Sequence, residues 1–281
     1  MPAIGWYNGI CGNLSEMTIP MNDRAVYFGD GCYEACLAVG TRAFALSRHL
    51  DRFEHSLKGL SIPFCPDRDA FIRTLTDCLA AANETCSVLY WQVSRATAQR
   101  THAFPKGETA PNLLITVTPK KLAAPEQTMK LVTTEDIRYA MCDVKTLNLI
   151  PNVLANEHAR RCGADEAIFV RDGFVTEGSH TNIHILKDGV LYTHPTDNRI
   201  LPGVTRAILL ELCAGLSVRV SEQAFSKDAL FSADEVLVTS STLGVRRTAA
   251  VDGTAVGGRD PGRFLMIRNA YDHLFSEEMR V

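Results

Sequence analysis

Several short runs in this 281-residue sequence gather side chains that could do chemistry. Lys145, within Cys142-Asp143-Val144-Lys145-Thr146-Leu147-Asn148, offers an amine that can form a Schiff base with an aldehyde and afterwards shuttle a proton. Glu177, within Thr176-Glu177-Gly178-Ser179, follows a run of strand character and enters a Gly-Ser turn; a buried carboxylate there would favour a protonated neighbour. Leu201-Pro202-Gly203-Val204-Thr205-Arg206 opens a helix whose first backbone N–H groups lack internal partners, so it can receive an anion, with the Thr205 hydroxyl as a further donor. Ser240-Ser241-Thr242 closes a strand with a run of hydroxyls, and Arg100-Thr101-His102 sets two basic side chains around one position. A guanidinium fork matches a carboxylate through two parallel hydrogen bonds. Taken singly, each has an ordinary reading: an exposed lysine, a turn glutamate, a plain helix start, a solvated loop.

Elements must hold these residues. Leu46, Leu50, Phe53, Leu57 and Leu60 recur at helical spacing, with Ser47 as the expected cap and Pro63 past the end. A second helix is expected from Asp67 to Asn83 with Phe71, Leu75, Cys78 and Leu79 on one face. Val88–Ser94 and Asn112–Val117 have strand composition, and Thr118–Pro125, with two prolines and two lysines, reads as a linker. Beyond it come a strand near Met129–Thr134 and a helix near Pro151–Cys162 ended by Gly163. Two hairpins then turn at Asp172-Gly173 and Asp188-Gly189. A helix over Gly203–Ala214, a strand over Glu235–Thr239 and a last helix from Pro261 complete the reading. Strands and helices mix without regular alternation, which favours an α+β architecture of two domains, 1–119 and 126–281, joined by 120–125.

Composition excludes several classes. Hydrophobic residues at 46% and charged residues at 22% are those of a globular protein. A net charge of -3 with interspersed basic residues gives no footprint for nucleic acid, and no apolar run has membrane-spanning length. The nine cysteines contain no CxxC pair, so buried free thiols in a cytoplasmic protein are expected, with no metal site.

Together, Cys142–Asn148, Thr176–Ser179 and Leu201–Arg206, in this order and spacing, resemble the class IV, or branched-chain-like, aminotransferases. The resemblance extends to Gly29-Asp30-Gly31-Cys32-Tyr33-Glu34 and to Thr239-Ser240-Ser241-Thr242, and so covers essentially the whole chain. Arg100-Thr101-His102 is similar to the Arg-x-His loop of the D-amino-acid transaminase group within the family. What the resemblance implies is a fold type IV enzyme with a smaller N-terminal α/β domain and a larger C-terminal domain built on a β-barrel-like sheet. It implies pyridoxal 5'-phosphate as cofactor and Lys145 and Glu177 as catalytic residues, the latter beside the pyridine nitrogen. Arg52, Leu201, Gly203, Val204, Thr205, Ser240 and Ser241 would complete the cofactor's surroundings, with Arg52 against its phosphate. Tyr33, Arg100 and His102 would hold the substrate. Gln99, Thr101 and His180 depart from the D-specific pattern, which bears on substrate range rather than on reaction type.

The implied reaction is ping-pong transamination of D-amino acids such as D-alanine and D-glutamate with 2-oxo acids, in a homodimer with shared sites. Alternatives within the family are an (R)-selective amine or branched-chain transaminase and an aminodeoxychorismate lyase. A noncatalytic cofactor- or metal-binding protein is the alternative of another class; the dispersal of the cysteines and eight histidines speaks against it.

Overall fold

Alternation of large apolar and smaller or polar residues makes the central strands. In the strand Cys86–Ser94, Leu89, Trp91 and Val93 are buried, and in Asn112–Pro119 so are Leu113, Ile115 and Val117, so one face of this sheet is apolar. The computed structural model describes residues 3–107, 109–122 and 126–280, and it divides into two compact units. The first comprises Met1–Leu122, Val144–Asn148 and Glu278–Val281, the second Ala123–Asp143 and Leu149–Glu277. Of the stretch expected to be a linker, Thr118 and Pro119 end a strand, and residues 123–125 lie outside the described residues.

In the first unit β1 (Ile4–Tyr7), β2 (Ile10–Asn13), β3 (Gly31–Val39), β4 (Arg42–Ala43), β5 (Cys86–Ser94) and β6 (Asn112–Pro119) form an antiparallel sheet in the order β2-β1-β6-β5-β3-β4. A short helix α1 (Arg24–Phe28), capped by Asp23, precedes β3. Helices α2 (Leu46–Gly59) and α3 (Arg68–Ala82) cover the apolar face, and Phe53, Phe71 and Trp91 form its centre with ring centres 6.0 to 6.2 Å apart. Asp67 caps α3 through Ala70 N at 2.8 Å. Ser47 does not cap α2: the helix starts two residues earlier than a Ser47 cap would place it, from Ala45 in the left-handed region. Glu278 accepts from Ala45 N at 2.7 Å, and the Ser47 hydroxyl accepts from Arg68 instead.

The second unit is built on β7 (Met129–Glu135), β8 (Glu166–Arg171), β9 (Phe174–Gly178), β10 (Asn182–Lys187), β11 (Val190–Thr193), β12 (Arg219–Ser221), β13 (Glu235–Ser240), β14 (Gly244–Val251) and β15 (Thr254–Ala255). Its order is β12-β11-β10-β13-β14-β7-β8-β9, with β15 on β14. In that order β10 and β9 lie five strands apart, about 24 Å in a flat sheet at ~4.8 Å spacing. The chain from Gly178 to Asn182 can span at most about 14 Å. The sheet therefore curls back on itself, which gives the barrel-like form expected of this half. Around it lie α4 (Ile150–Arg161), α5 (Val204–Gly215), α6 (Lys227–Phe231) and α7 (Pro261–Met279). Asp172-Gly173 and Asp188-Gly189 have positive φ at both positions, as two-residue hairpin turns require.

Gly31 has no room for a side chain, because an added Cβ would lie 2.4 Å from Val93 O and 2.7 Å from Leu147 Cδ1. Gly31→Ala must displace the backbone of β5 at Val93 as well as the Leu147 side chain, and it is expected to cost about 1–3 kcal/mol. A lower midpoint in denaturant-induced unfolding, with an unchanged slope, would report this cost.

Candidate active site

On one edge of β3, β4 pairs only with Ala38 and Val39, and Gly31–Tyr33 would be left open there. Residues 145–147 fill that edge: Tyr33 N donates to Lys145 O at 2.9 Å, Leu147 N donates to Gly31 O at 3.0 Å, and Cys32 bridges Thr146. Lys145 N donates to the Ser56 hydroxyl of α2 at 3.0 Å. With its backbone tied at these points, the half-buried Lys145 side chain carries Nζ to 4.3 Å from the centre of the Tyr33 ring, which stacks on Tyr90 at 5.4 Å.

The neighbouring residue on β3 points to the opposite face. There Glu34, wholly buried, accepts from Arg52 Nε at 2.7 Å and Nη2 at 2.8 Å, and pairs with His49 Nδ1 at 2.7 Å. Burial alone would raise the Glu34 pKa, but the Arg52 guanidinium and His49 outweigh it and hold the carboxyl at about 2. As a carboxylate it only accepts, so His49 Nδ1 is the donor of that bond.

In the second unit Glu177, at the end of β9, is 5% exposed. Arg138 Nη1 donates to one of its oxygens; Leu201 N at 3.0 Å and Asn182 Nδ2 at 3.1 Å donate to the other. Arg138 is shared, since its Nε and Nη2 also grip Asp136, each at 2.9 Å. Burial pushes the Glu177 carboxyl up to about 7 despite the pull of Arg138. Such a carboxyl has capacity for a further cationic N–H donor, which is what a protonated pyridine nitrogen supplies. Asn182 also donates to Leu201 O at 3.0 Å, and its Oδ1 lies where a Cβ on residue 203 would sit, 2.0 Å away, so only glycine fits at 203. Gly203 caps α5 without a side-chain hydrogen bond, so the helix opens with backbone donors at the buried Val204 and Thr205. Asn182 pairs with Thr239, which brings the end of β13 alongside; the Ser240 hydroxyl accepts from Leu243 N at 3.3 Å and Ser241 is half-buried. A buried acid calling for a cation and an uncapped helix start fit the two ends of a pyridoxal phosphate.

Of the residues singled out in the sequence, the structure thus groups Tyr33 with Lys145, and Glu177 with Leu201 and Gly203 through Asn182. Arg52 lies in the Glu34 pair. Arg100 and His102 are exposed and rest on Phe28, at 5.3 and 5.4 Å from its ring centre. Sequence reasoning missed Arg138 and Asn182. Asp136 and Arg138 sit just past a strand with an acid–base spacing of two, and Asn182 is a lone polar residue at a strand start; neither signal distinguishes a site from a surface. His180 pairs with buried Glu166 at 2.9 Å while remaining half exposed. The expectation of buried thiols holds for Cys32, Cys36, Cys78 and Cys213, whereas Cys11, Cys65 and Cys162 are exposed; all nine are free.

Residues 31–251 match the model of the amino-transferase class IV family. The D-alanine aminotransferase of Bacillus licheniformis is 34% identical over 257 residues, 91% of each chain. That of Staphylococcus aureus (strain MSSA476) is 36% identical over 253 residues, 89% of each chain. The branched-chain amino acid aminotransferase from Escherichia coli shares the fold, with a TM-score of 0.88 at 24% identity over 100% of this chain and 96% of that one.

The raised Glu177 pKa has a definite sign in stability. Between its unfolded value, near 4.5, and about 7 the folded protein binds the extra proton, so the contribution is full below the former and is lost as pH rises through the latter. Cofactor-free protein is expected to lose stability from pH ~4.5 to ~7 relative to the Glu177→Gln variant, compared by denaturant titration across that range. Parallel curves for the two proteins would contradict the assignment.

Proposed function

The chain belongs to the class IV aminotransferase family, and from that premise we propose that it transfers the amino group of D-amino acids, D-alanine and D-glutamate among them, to 2-oxo acids with pyridoxal 5'-phosphate as cofactor. The observation that carries this reading is the match over about nine-tenths of the chain to proteins named D-alanine aminotransferase. When bound, the cofactor supplies an aldehyde that condenses with amines and a ring that accepts the electrons of a broken Cα–H bond.

Lys145 would be the catalytic amine: its Nζ would hold the aldehyde end of the cofactor and would take up the proton that leaves the substrate Cα. Its position beside the Tyr33 ring supports this role, because the ring bounds one side of the space the amine can occupy. Glu177 accepts the pyridine N–H, and the backbone donors of Val204 and Thr205 at the Gly203 cap, with Ser240 and Ser241, bind the phosphate. Arg52 joins them, its guanidinium plane fixed by Glu34. Leu201 holds Glu177 through its backbone N–H. Arg100 and His102 bind the substrate α-carboxylate, with the Tyr33 hydroxyl assisting. The working enzyme is a homodimer in the cytoplasm; nine free cysteines agree with a reducing compartment.

Steady-state turnover of D-alanine with 2-oxoglutarate tests the assignment. Lys145→Ala is expected to lower kcat by about 10²- to 10⁴-fold and to abolish the visible absorbance of lysine-bound cofactor. Full retention of turnover by this variant would refute it.

A further inference from the structure

The segment carrying Arg100 and His102 has no helix or strand of its own. It is nevertheless held residue by residue. Arg100 lies over the Phe28 ring at 5.3 Å and His102 against it at 5.4 Å, while Arg24 Nη1 donates to Thr101 O at 2.8 Å and to Ala103 O at 3.3 Å. Phe104 then covers the guanidinium of Arg95 at 3.6 Å. The side chains of 100 and 102 go to one aromatic ring, and the carbonyls on either side of His102 go to one guanidinium nitrogen.

Both arginines are buried and both are set by one acid. Asp30 accepts from Arg24 Nε at 2.6 Å and from Arg95 Nε and Nη2 at 2.9 and 3.0 Å. Arg95 is anchored in turn on Leu60 O at 2.7 Å and Ser61 O at 2.8 Å, just past the end of α2. An ionised carboxylate between two guanidinium groups fixes their planes, and a guanidinium fixed in plane presents its remaining donors in set directions.

We propose that Arg24, oriented by Asp30 and Arg95, is a positioning residue that sets the conformation of residues 100–104 and so determines how tightly the enzyme holds a substrate carboxylate. The inference rests on the reading of Arg100 as the carboxylate anchor. Arg24 touches no substrate; it acts through the carbonyls on either side of His102.

Kinetics on the cofactor-loaded enzyme test it. Arg24→Gln is expected to raise KM for D-alanine about tenfold, as loss of a charged donor to two carbonyls would, with kcat and the absorbance of lysine-bound cofactor little changed. Arg24→Lys, which keeps the charge but not the fork, is expected to give a smaller rise and serves alone if the glutamine variant does not fold. The pair Arg24→Gln with Arg100→Ala is expected to show a KM no higher than Arg100→Ala alone, because both act on one contact. An elevated KM in Arg100→Ala with normal KM in both Arg24 variants would overturn the proposal and leave the anchor reading standing, as would additive effects in the pair. A normal KM in Arg100→Ala would overturn both.

Discussion

Docking of residues 145–147 on the open edge of β3 is the contact on which the position of the Lys145 amine depends. A strand edge exposes unpaired amide and carbonyl groups in fixed alternation, so a segment that pairs with it takes a fixed register and a fixed facing. The bonds from Tyr33 and Leu147 and the Ser56 hydroxyl give Lys145 that register, and a slip of one position would turn its amine away from Tyr33. Each such bond stabilises by only about 0.5–1.5 kcal/mol net; their value here is geometric. The same strand, through its alternation, presents Tyr33 to the amine and Glu34 to Arg52 on the other face.

At Glu34, Glu177 and Asp30 charge is buried by the same means, an acid held by a guanidinium, yet the outcomes differ with the ratio of partners. Glu34 takes two bonds from Arg52 and one from His49 and is held at about 2. Glu177 divides Arg138 with Asp136 and is left at about 7. Buried pairs of this kind cost desolvation and contribute orientation more than net stability. With burial pushing it up and Arg138 shared, Glu177 keeps capacity for a further cationic N–H donor. Asp30 shows the opposite ratio, one acid between two guanidinium groups, and that surplus is directed outward to the carbonyls of a loop.

Much of this was legible in the sequence where local rules dominate. The hairpins at Asp172-Gly173 and Asp188-Gly189, helices α2 to α5 and the strand pattern follow from periodicity and turn chemistry, and the family motifs located Lys145, Glu177 and the helix start at Gly203. What stayed hidden is long-range. Arg138 reaches Glu177 across 39 positions and Arg24 reaches Thr101 across 77, and no local pattern marks such partners. Ser47 misled for the same reason: a serine one residue inside a helix resembles a cap, but the left-handed Ala45 and a glutamate from residue 278 settle where the helix begins.

That last contact sets an order of events during synthesis. The first unit takes in Val144–Asn148 and residues from Glu278 onward, and Glu278 and Arg280 bind back to Ala45 and Arg42. A nascent chain emerging from the ribosome tends to fold its leading part first. Here the leading part must wait with the edge of β3 unfilled until residue 145 has emerged, and with the start of α2 unfastened until translation has passed residue 278. The unit that carries the lysine is therefore completed only after the residues of the second unit have been synthesised, so a product terminated before residue 278 would carry the motifs but leave the start of α2 unfastened.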